Sequence, residues 1–420
     1  MHRRGGSQTP PPAVDSAAVR VLLVGSGGRE HALAWKLASE AGDVELHAAP
    51  GNPGMAALGV CHPVRADDGE ALLALARSIH ADLAVVGPEA PLVAGVADEL
   101  RHAGVAVFGP GRAAARIEGS KAFAKDVMRA AGVPTAATLA VARPPCVVKA
   151  DGLAAGKGVF VCRTSEELDR ALAAAAAFEG PLVIEELLEG PEVSLFALSD
   201  GAEVVALPPA QDYKRIGEGD TGPNTGGMGS YAPVAELDDD RVSELVDLVH
   251  RPVVAELARR GTPFVGLLFA GLMLTEDGPK VLEFNCRFGD PETQSILPLL
   301  DGDLLSALAA AASGDLGGVE LRAAPGAAVT VVLAARGYPA SGDVGSPISG
   351  VAEAEAAGGL VFHAGTALRG DALVTSGGRI LNVTARGDDV AAARRSAYDA
   401  CARISFDGMQ LRRDIAAAAA

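Results

Sequence analysis

The stretch RVLLVGSGGREHALAWKLASE, residues 20–40, joins an apolar run, a glycine-rich turn and an amphipathic pattern without a break. The apolar run predicts a buried strand, and the spacing of apolar residues after the turn predicts a helix. A strand that enters a helix through a tight glycine turn is typical of βαβ units, whose strands run parallel. This stretch therefore predicts an α/β domain in this part of the chain.

Strand and helix patterns continue to alternate as far as residue 110, which predicts a doubly wound, Rossmann-like parallel sheet. A mixed region follows, in which the capping box Thr164 to Glu167 marks the start of a helix. The strand patterns AVTVVLAA and GRILNVTA then predict a small α+β domain. The predicted segments are a disordered tail at residues 1–19, the parallel-sheet domain at 20–121, a central domain at 122–325 and the α+β domain at 326–420.

Composition restricts the class of protein. The 420 residues carry a formal net charge of -17, which argues against nucleic acid or an anionic membrane as a partner. The five cysteines are scattered and form no CxxC pair, so neither a disulfide framework nor a zinc site is predicted. No apolar run approaches the roughly 20 residues of a membrane-spanning helix. We expect a cytoplasmic protein that binds small molecules.

The loop Gly25–Glu30 reads GSGGRE and partly matches the GxGxxG pattern of dinucleotide-binding proteins. Glu30 occupies the position of the third glycine, which normally lets the helix pack closely on the strand beneath a pyrophosphate. This departure disfavours NAD binding, and a dinucleotide-dependent oxidoreductase stays an alternative. The backbone N–H groups of such a loop also suit a phosphate or another anion, unless the loop is only a tight turn.

Three polar loops, GSGGREH, APGNPG and VGPEAPL, each follow a predicted strand of this sheet. Ligands of such sheets bind at the carboxyl ends of the strands, where these loops lie side by side. We therefore expect Glu30, Asn52 and Glu89 to face one crevice.

A second glycine-rich stretch, KADGLAAGKGV at residues 149–159, holds two lysines between two apolar runs. It lacks the spacing of a Walker A loop, although its glycines allow the backbone to approach a triphosphate closely. We expect Lys149 to contact the inner phosphates while the loop closes over the outer ones. The loop residues assigned to this role are Gly152, Gly156, Lys157 and Gly158.

Two later stretches add groups that suit a nucleotide. In LVIEELLEGPEV an apolar strand runs into acids, which favours backbone groups for an adenine edge and Glu192 for a ribose. In KVLEFNCRFGDPETQ, Glu283 and Asn285 are two residues apart and so lie on one face of a strand. Their oxygens suit Mg²⁺ between phosphates, and Arg287 on the same face suits a transferring phosphoryl group.

Taken in order, these stretches resemble those of the phosphoribosylamine–glycine ligase family, ATP-grasp enzymes of de novo purine synthesis. The resemblance covers nearly all of residues 20 to 415. It implies an ATP-grasp core that binds ATP between two α+β lobes, with a mobile lid at about residues 135–190. The motifs that carry the resemblance are GSGGREHALAWK, APGNPG, VGPEAPL, EGSKAFAKD, KADGLAAGKGV, VIEELLEG, QDYKRIGEGDTGPNTGGMGSY and LEFNCRFGDPETQ.

The resemblance also implies roles for particular residues. Lys121 and Lys149 resemble the phosphate-facing lysines, and Glu283 with Asn285 resembles the pair that holds Mg²⁺ or Mn²⁺. The residues that resemble the adenine-holding strand and the ribose carboxylate are Glu185, Glu186, Leu188 and Glu192.

The implied reaction uses ATP to phosphorylate the carboxylate of glycine, after which the amine of 5-phospho-D-ribosylamine displaces the phosphate. We assign catalysis to Arg287, Asp212 and Lys214, and we expect a monomer. A different ATP-grasp ligase or carboxylase stays an alternative. The residues assigned to binding glycine or the ribosylamine are Gly27, Gly28, Arg29, Glu30, Asn52, Glu89, Asn224, Thr225, Gly226 and Arg379.

Overall fold

The structure, a computed structural model, describes residues 18–40, 44–153, 158–178 and 180–420. Gly156, Lys157 and residues 1–17 of the predicted tail lie outside the described residues. Among the described helices, none is both long enough and apolar enough to cross a membrane.

The first region alternates strands and helices, as the sequence predicts. Its strands are β1 (Val19–Gly25), β2 (Val44–Pro50), β3 (Val60–Cys61), β4 (Leu83–Val86) and β5 (Ala106–Phe108). Its helices are α1 (Gly28–Ser39), α2 (Gly69–Ser78), α3 (Glu89–Ala94), α4 (Val96–His102) and α5 (Arg112–Gly119). The described strands pair in parallel in the order β3-β2-β1-β4-β5. Because the order reverses between β1 and β4, the predicted doubly wound parallel sheet is confirmed.

The connection after β4 differs from the prediction, which placed the polar loop VGPEAPL as far as Leu92. Helix α3 already begins at Glu89, and Gly95, with a left-handed φ of +95°, separates it from α4. Pro91 lies in the first turn of α3, where its missing N–H would have no partner within the helix. Glu89 therefore occupies a helix N-terminus and not a free loop.

The middle region contains the longest helix and most of the strands described. Its helices are α6 (Lys121–Ala131), α7 (Ser165–Ala175), α8 (Asp239–Arg259), α9 (Glu292–Ile296) and α10 (Leu304–Ser313). Its first strands are β6 (Cys146–Ala150), β7 (Val159–Cys162), β8 (Leu182–Glu186), β9 (Glu192–Asp200), β10 (Val204–Asp212) and β11 (Arg215–Gly217). Its remaining strands are β12 (Thr221–Asn224), β13 (Gly229–Ala232), β14 (Val265–Thr275), β15 (Gly278–Asn285), β16 (Leu300–Asp301) and β17 (Arg322–Ala323).

Strands β6, β7 and β8 form a small antiparallel sheet in the order β7-β6-β8, and α7 packs against it. The predicted capping box is confirmed at the start of α7. Glu167 N donates to Thr164 Oγ1 at 3.2 Å, and Thr164 N donates to Glu167 Oε2 at 3.2 Å. Of the stretch KADGLAAGKGV, Lys149 and Ala150 end β6, and Val159 begins β7.

The last region adds strands β18 (Ala327–Ala334), β19 (Asp343–Pro347), β20 (Leu360–His363), β21 (Thr366–Arg369), β22 (Ala372–Gly377) and β23 (Arg379–Gly387). Its helices are α11 (Val351–Ala356) and α12 (Val390–Cys401). Three of its strands extend a central antiparallel sheet, whose described order is β15-β14-β9-β10-β13-β18-β23-β20. Every residue of β18 is buried, so this strand needs neighbours on both edges and cover on both faces. Three strands of the predicted small α+β domain, β18, β20 and β23, therefore continue the sheet of the middle region.

One cluster of buried apolar side chains runs through all three regions. It includes Leu23 of β1, Phe196 of β9, Phe288 just after β15 and Phe362 of β20. This shared core holds the carboxyl ends of β1 and β2 against the C-terminal strands.

Candidate active site

A cavity of about 380 Å³ lies where the loops after β1 and β2 meet the C-terminal region. Most of its lining residues are small or polar, so backbone groups can approach a ligand closely. Three of the residues assigned to substrate binding are brought together here. The lining residues are Ser26, Gly27, Gly51, Asn52, Asp290, Tyr338, Ala364, Gly365, Thr366, Ser376, Gly378 and Arg379.

Arg379 supplies the positive charge of this cavity lining. Its Nη2 lies 2.9 Å from Asp290 Oδ2, and its Nη1 donates to Asp290 O at 2.7 Å and to Gly226 O. Burial lowers the pKa of Arg379, but Asp290, Tyr338 and Glu292 together outweigh burial, and the net pKa is raised. Gly226 N in turn donates to Tyr338 Oη at 2.9 Å. Arg379 therefore ties the glycine-rich loop after β12 to the loop after β15.

Asn52 lines the cavity, but its amide is used to fix the surrounding loops. Its Nδ2 donates to Ser26 O at 2.9 Å and to His363 O at 2.9 Å. Its Oδ1 accepts a hydrogen bond from Met55 N at 3.0 Å. Asn52 thus shapes the cavity wall by joining the first region to β20.

Glu30 lies beneath its own loop and not on an open crevice as expected. The residue is 1% exposed, and its carboxylate accepts hydrogen bonds from Gly27 N at 2.6 Å and from Arg29 Nε at 2.6 Å. Arg29 Nη1 also donates to Phe288 O at 3.1 Å. A Cβ atom at Gly87 would collide with the Glu30 side chain, so the carboxylate fills the space above the strand ends. The Gly27 N–H that a dinucleotide pyrophosphate would need is already bonded.

Gly28 is a glycine because two amide side chains approach it closely. A Cβ atom there would collide with Asn382 of β23 and with Gln294 of α9. The N-terminus of α1 is thereby packed on the central sheet, and the exposed part of this loop is at Ser26 and Gly27.

Lys149 is held by a buried acid on the neighbouring strand. Lys149 Nζ lies 2.6 Å from Glu185 Oε2 and donates to Leu282 O at 2.8 Å. Lys125 Nζ lies 3.0 Å from the other oxygen of Glu185. Leu282 is the extra residue at a bulge between β14 and β15, which leaves its carbonyl free to accept. Glu185 was assigned to the adenine-holding strand. Its side chain orients Lys125 and Lys149.

Lys121 begins α6 and meets the start of the glycine-rich loop. Its Nζ donates to Gly152 O at 3.0 Å, and its backbone N donates to Asp151 Oδ1 at 2.5 Å. Burial lowers the pKa of Lys121, although Glu283 and Asp151 oppose the shift. The other described end of the loop is fixed by Ala150 N, which donates to Gly158 O at 2.8 Å.

The segment assigned to adenine joins the small sheet to the central sheet. Glu186 Oε1 lies 3.1 Å from Lys280 Nζ and accepts a hydrogen bond from Ala137 N at 2.9 Å. Leu188 is half-buried in the link between β8 and β9, and Glu192 starts β9. The backbone between Glu186 and Glu192 thus lies at the junction of two sheets.

Lys214 lies between two of the assigned carboxylates. Its Nζ contacts Glu192 Oε1 and lies 3.5 Å from Glu283 Oε1. Burial lowers the pKa of Lys214, but Glu192, Asp212 and Glu283 outweigh burial and hold the pKa well above its usual range. Burial raises the pKa of Asp212 well above its usual range, although Lys214 opposes the shift.

The glycine-rich loop after β12 is fixed to the same lysine. Thr225 N and Thr225 Oγ1 both donate to Lys214 O, at 2.7 and 2.8 Å. Asn224 pairs with Arg215 across the β11–β12 hairpin. Gly226 comes next in the chain, and its carbonyl oxygen accepts a hydrogen bond from Arg379. The loop therefore extends from Lys214 to the cavity.

Arg287 lies between two acids of the first region. Its Nε is 3.3 Å from Glu89 Oε2, and its Nη2 is 3.3 Å from Glu118 Oε1. Burial raises the pKa of Glu89, but Arg287 and Arg29 outweigh burial, and the net pKa is lowered. Glu118 and Asp290 are site residues that the sequence assignments missed, although both lie inside motifs of the resemblance.

The residues present fit a divalent cation held jointly with a nucleotide. Among the described residues, no group of three or more His, Cys, Asp or Glu side chains could hold a metal. Glu283 and Asn285 lie on one face of β15, and the Glu283 side chain is 36% exposed. Mg²⁺ is commonly held by one or two protein oxygens together with phosphate oxygens and water. This donor set suits such a cation and not a closed protein cage.

Comparison with known families identifies the chain. Family models for the N, ATP-grasp and C domains of phosphoribosylglycinamide synthetase match residues 19–118, 119–293 and 328–418. The chain belongs to the phosphoribosylglycinamide synthetase family. A Streptomyces coelicolor relative, a phosphoribosylamine–glycine ligase, is 53% identical over 96% of this chain and 100% of its own length.

Solved structures agree with this membership of the phosphoribosylglycinamide synthetase family. The crystal structure of phosphoribosylamine–glycine ligase from Thermotoga maritima is 37% identical, with a TM-score of 0.83. The match covers 94% of this chain and all of that one. A biotin carboxylase domain from Hydrogenobacter thermophilus is 20% identical with a TM-score of 0.67, covering 93% of this chain and 91% of that one, and shows the shared fold alone. The predicted family and ATP-grasp fold are confirmed, and the oxidoreductase alternative is set aside.

Proposed function

We propose that the protein ligates glycine to 5-phospho-D-ribosylamine at the expense of ATP, as a step of de novo purine synthesis. The products are N1-(5-phospho-D-ribosyl)glycinamide, ADP and phosphate. The observation that carries the proposal is the loop after β15. Arg287 of this loop pairs with Glu89 and Glu118, and Asp290, three residues later, pairs with Arg379 at the cavity. The loop therefore joins a phosphoryl-transfer centre to a binding cavity.

The ATP site is assigned to the cleft between the small sheet and the central sheet. Lys121 and Lys149 contact the phosphates, with Glu185 orienting Lys149, and Gly152 and Gly158 offer backbone groups beside them. The link from Glu186 through Leu188 offers backbone groups to adenine, and Glu192 binds the ribose. ATP-grasp ligases of this family use ATP with a divalent metal. Mg²⁺ or Mn²⁺ would be held by Glu283 and Asn285 and would neutralise phosphate charge.

Glycine is assigned to the space beside Lys214. Its carboxylate oxygen attacks the γ-phosphorus of ATP; the new O–P bond gives glycyl phosphate as ADP leaves. Lys214 and Arg287 offset the negative charge that gathers on the phosphoryl group, which is the main task of an enzyme in such a transfer. Asp212 accepts a hydrogen bond from the ammonium group of glycine. The loop from Asn224 to Gly226 forms the wall of the glycine site.

The ribosylamine is assigned to the 380 Å³ cavity. Arg379 binds its 5-phosphate together with backbone N–H groups of the glycine-rich lining. The amine attacks the carbonyl carbon of glycyl phosphate, the C–O bond breaks, and phosphate leaves while the nitrogen loses a proton. Asn52, Gly27 and Gly28 shape the wall of the cavity, and Arg29 and Glu30 support it from below.

The order of these steps is tested with glycine labelled with ¹⁸O in both carboxylate oxygens. One labelled oxygen is expected in the released phosphate, because that oxygen bridges carbon and phosphorus in glycyl phosphate. Unlabelled phosphate, or AMP and pyrophosphate as products, would overturn the proposal. ADP release that depends on both glycine and the ribosylamine distinguishes this activity from that of another ATP-grasp ligase or carboxylase. The monomeric state and the cytoplasmic location stay predictions.

A further inference from the structure

A single carboxylate at the end of α5 holds three consecutive residues of the site. Glu118 Oε1 accepts a hydrogen bond from Asn285 Nδ2 at 3.1 Å and forms an ion pair with Arg287 Nη2 at 3.3 Å. Glu118 Oε2 accepts a hydrogen bond from Cys286 N at 2.8 Å. The Glu118 side chain is 8% exposed, and its hydrogen bonds and its ion pair are all made to residues at the end of β15 and at the start of the loop after it.

The first contact decides which way the amide of Asn285 points. Its Nδ2 donates to Glu118 Oε1 and also, at 3.2 Å, to Phe284 O. An amide turned by half a revolution would place Oδ1 against the carboxylate of Glu118, where two acceptors repel each other. Glu118 therefore keeps Oδ1 on the far side of the amide, where it can serve as a metal ligand.

The second contact fixes the plane of the Arg287 guanidinium. Glu118 binds one end of the group at Nη2, Glu89 binds Nε, and Phe288 O accepts from Nη1 at 3.1 Å. A guanidinium held at three edges loses little freedom when a phosphoryl group approaches, because its orientation is already set.

We propose that Glu118 is a positioning residue of the ligation reaction, which sets the atom that Asn285 presents to the metal and the orientation of Arg287. This inference rests on the proposed roles of Asn285 and Arg287. Replacing a carboxylate that orients a metal ligand typically costs about 10–100-fold in metal affinity or activity. If the role of Glu118 were purely structural, replacing it would lower the stability of the protein without changing its metal affinity.

The test measures Mn²⁺ affinity of the enzyme–ADP complex from the paramagnetic resonance signal of free Mn²⁺. Glu118→Gln is expected to weaken Mn²⁺ binding about 10–100-fold, because the new NH₂ group must face the donors of its neighbours. Binding of ADP without metal should change less than about threefold, since Glu118 does not contact the nucleotide site directly. Glu118→Asp, which keeps the charge, should lose less Mn²⁺ affinity than Glu118→Gln. Unchanged Mn²⁺ affinity in both variants would overturn the inference.

Glu256 offers a matched control for the loss of a buried carboxylate. It accepts hydrogen bonds from Arg259 Nε and Arg260 Nε, both at 2.7 Å, near the end of α8. Glu256→Gln should lower the thermal stability while leaving Mn²⁺ affinity unchanged. An equal loss of Mn²⁺ affinity in this control would also overturn the inference.

A double-mutant cycle separates this inference from the proposed metal site. If Glu118 acts through Asn285, Asn285→Ala should weaken Mn²⁺ binding, and adding Glu118→Gln should cost less than about threefold more. Fully additive losses would overturn the positioning role while leaving the metal assignment intact. An Asn285→Ala variant with unchanged Mn²⁺ affinity would overturn the metal assignment itself and the inference with it.

Discussion

Arg379 Nη2 and Asp290 Oδ2 lie 2.9 Å apart and join β23 to the loop after β15. The two residues are 89 positions apart in the chain. Because Arg287 belongs to the same loop, this ion pair links the C-terminal strands to the residue that we assign to phosphoryl transfer. A cation placed there can bind a substrate phosphate and also hold the loop in position.

Arg379→Ala is expected to raise KM for 5-phospho-D-ribosylamine by about 10–100-fold, because a charge-assisted hydrogen bond to phosphate is lost. KM for ATP should stay within about threefold, since Arg379 contacts Gly226 and Asp290, which are not among the residues assigned to ATP. Steady-state kinetics with each substrate varied in turn measures both values. Arg379→Lys keeps the charge but not the planar fork of the guanidinium. Its KM for the ribosylamine should lie between those of the unsubstituted protein and of Arg379→Ala.

An exposed arginine of the same region provides the control for this prediction. Arg336 pairs with Asp407 at 3.0 Å on the surface, and Arg336→Ala should leave both KM values unchanged. Equal increases in KM for ATP and the ribosylamine in Arg379→Ala would contradict the assignment.

Glu283→Gln is expected to lower turnover by more than about 100-fold, because an ionised ligand beside the phosphates becomes neutral. The loss also leaves Lys214, 3.5 Å away, with one fewer acid partner. Turnover is measured at saturating Mg²⁺ and saturating substrates. Glu244→Gln on the surface of α8, where Glu244 pairs with Arg241 at 2.7 Å, should be neutral. Normal turnover of Glu283→Gln under these conditions is the outcome that contradicts the metal assignment.

The first region could be predicted well because its signals are local. An apolar run, a glycine turn and a helical pattern repeat along residues 20–110, and each element is decided by its own sequence. The two-residue edge strand β3 was missed because it is too short to show a pattern. The joining of β18 and β23 to the central sheet was also missed, because strand neighbours are decided by contacts that are distant in the chain.

For the site residues too, relationships that depend on local sequence could be predicted, and those that depend on contacts distant in the chain could not. Glu283 and Asn285 were predicted to share a face because period-two alternation is visible in the sequence. The pairing of Glu185 with Lys125 and Lys149 could not be predicted, because it depends on how β6, β8 and α6 pack. The burial of Glu30 likewise follows from the close approach of two loops, which no local pattern records.

Replacing Glu30 tests whether its loop is a dinucleotide site or a structural turn. Glu30→Gly restores the GxGxxG pattern but leaves the buried Arg29 without its acid. The free energy of unfolding should fall by roughly 3–5 kcal/mol, which is typical when one partner of a buried ion pair is removed. Urea denaturation measures this change, and fluorescence titration with NADH should detect no binding. NADH binding by this variant would contradict the structural role of Glu30.

Two buried histidines predict how stability depends on pH. Burial, together with the nearby His363, lowers the pKa of His31 to about 3, and burial lowers the pKa of His363 to about 4. Both are therefore neutral in the folded protein at pH 5, whereas an unfolded histidine has a pKa of about 6.5 and is then mostly charged. The unfolded chain binds more protons in this range, so the free energy of unfolding falls as the pH drops below about 6.5.

The contribution of His31 to this pH dependence is expected to be about 2 kcal/mol between pH 7 and pH 5. Its Nδ1 accepts a hydrogen bond from His363 N at 2.8 Å, which a protonated ring could not do. His31→Asn keeps an acceptor in a similar place and cannot be protonated, so its unfolding free energy should fall by about 2 kcal/mol less over the same range. Urea denaturation at pH 7 and pH 5 measures the difference, with His102→Asn on the exposed end of α4 as the control. Parallel losses in His31→Asn and the unsubstituted protein would contradict the assignment of this pH dependence to His31.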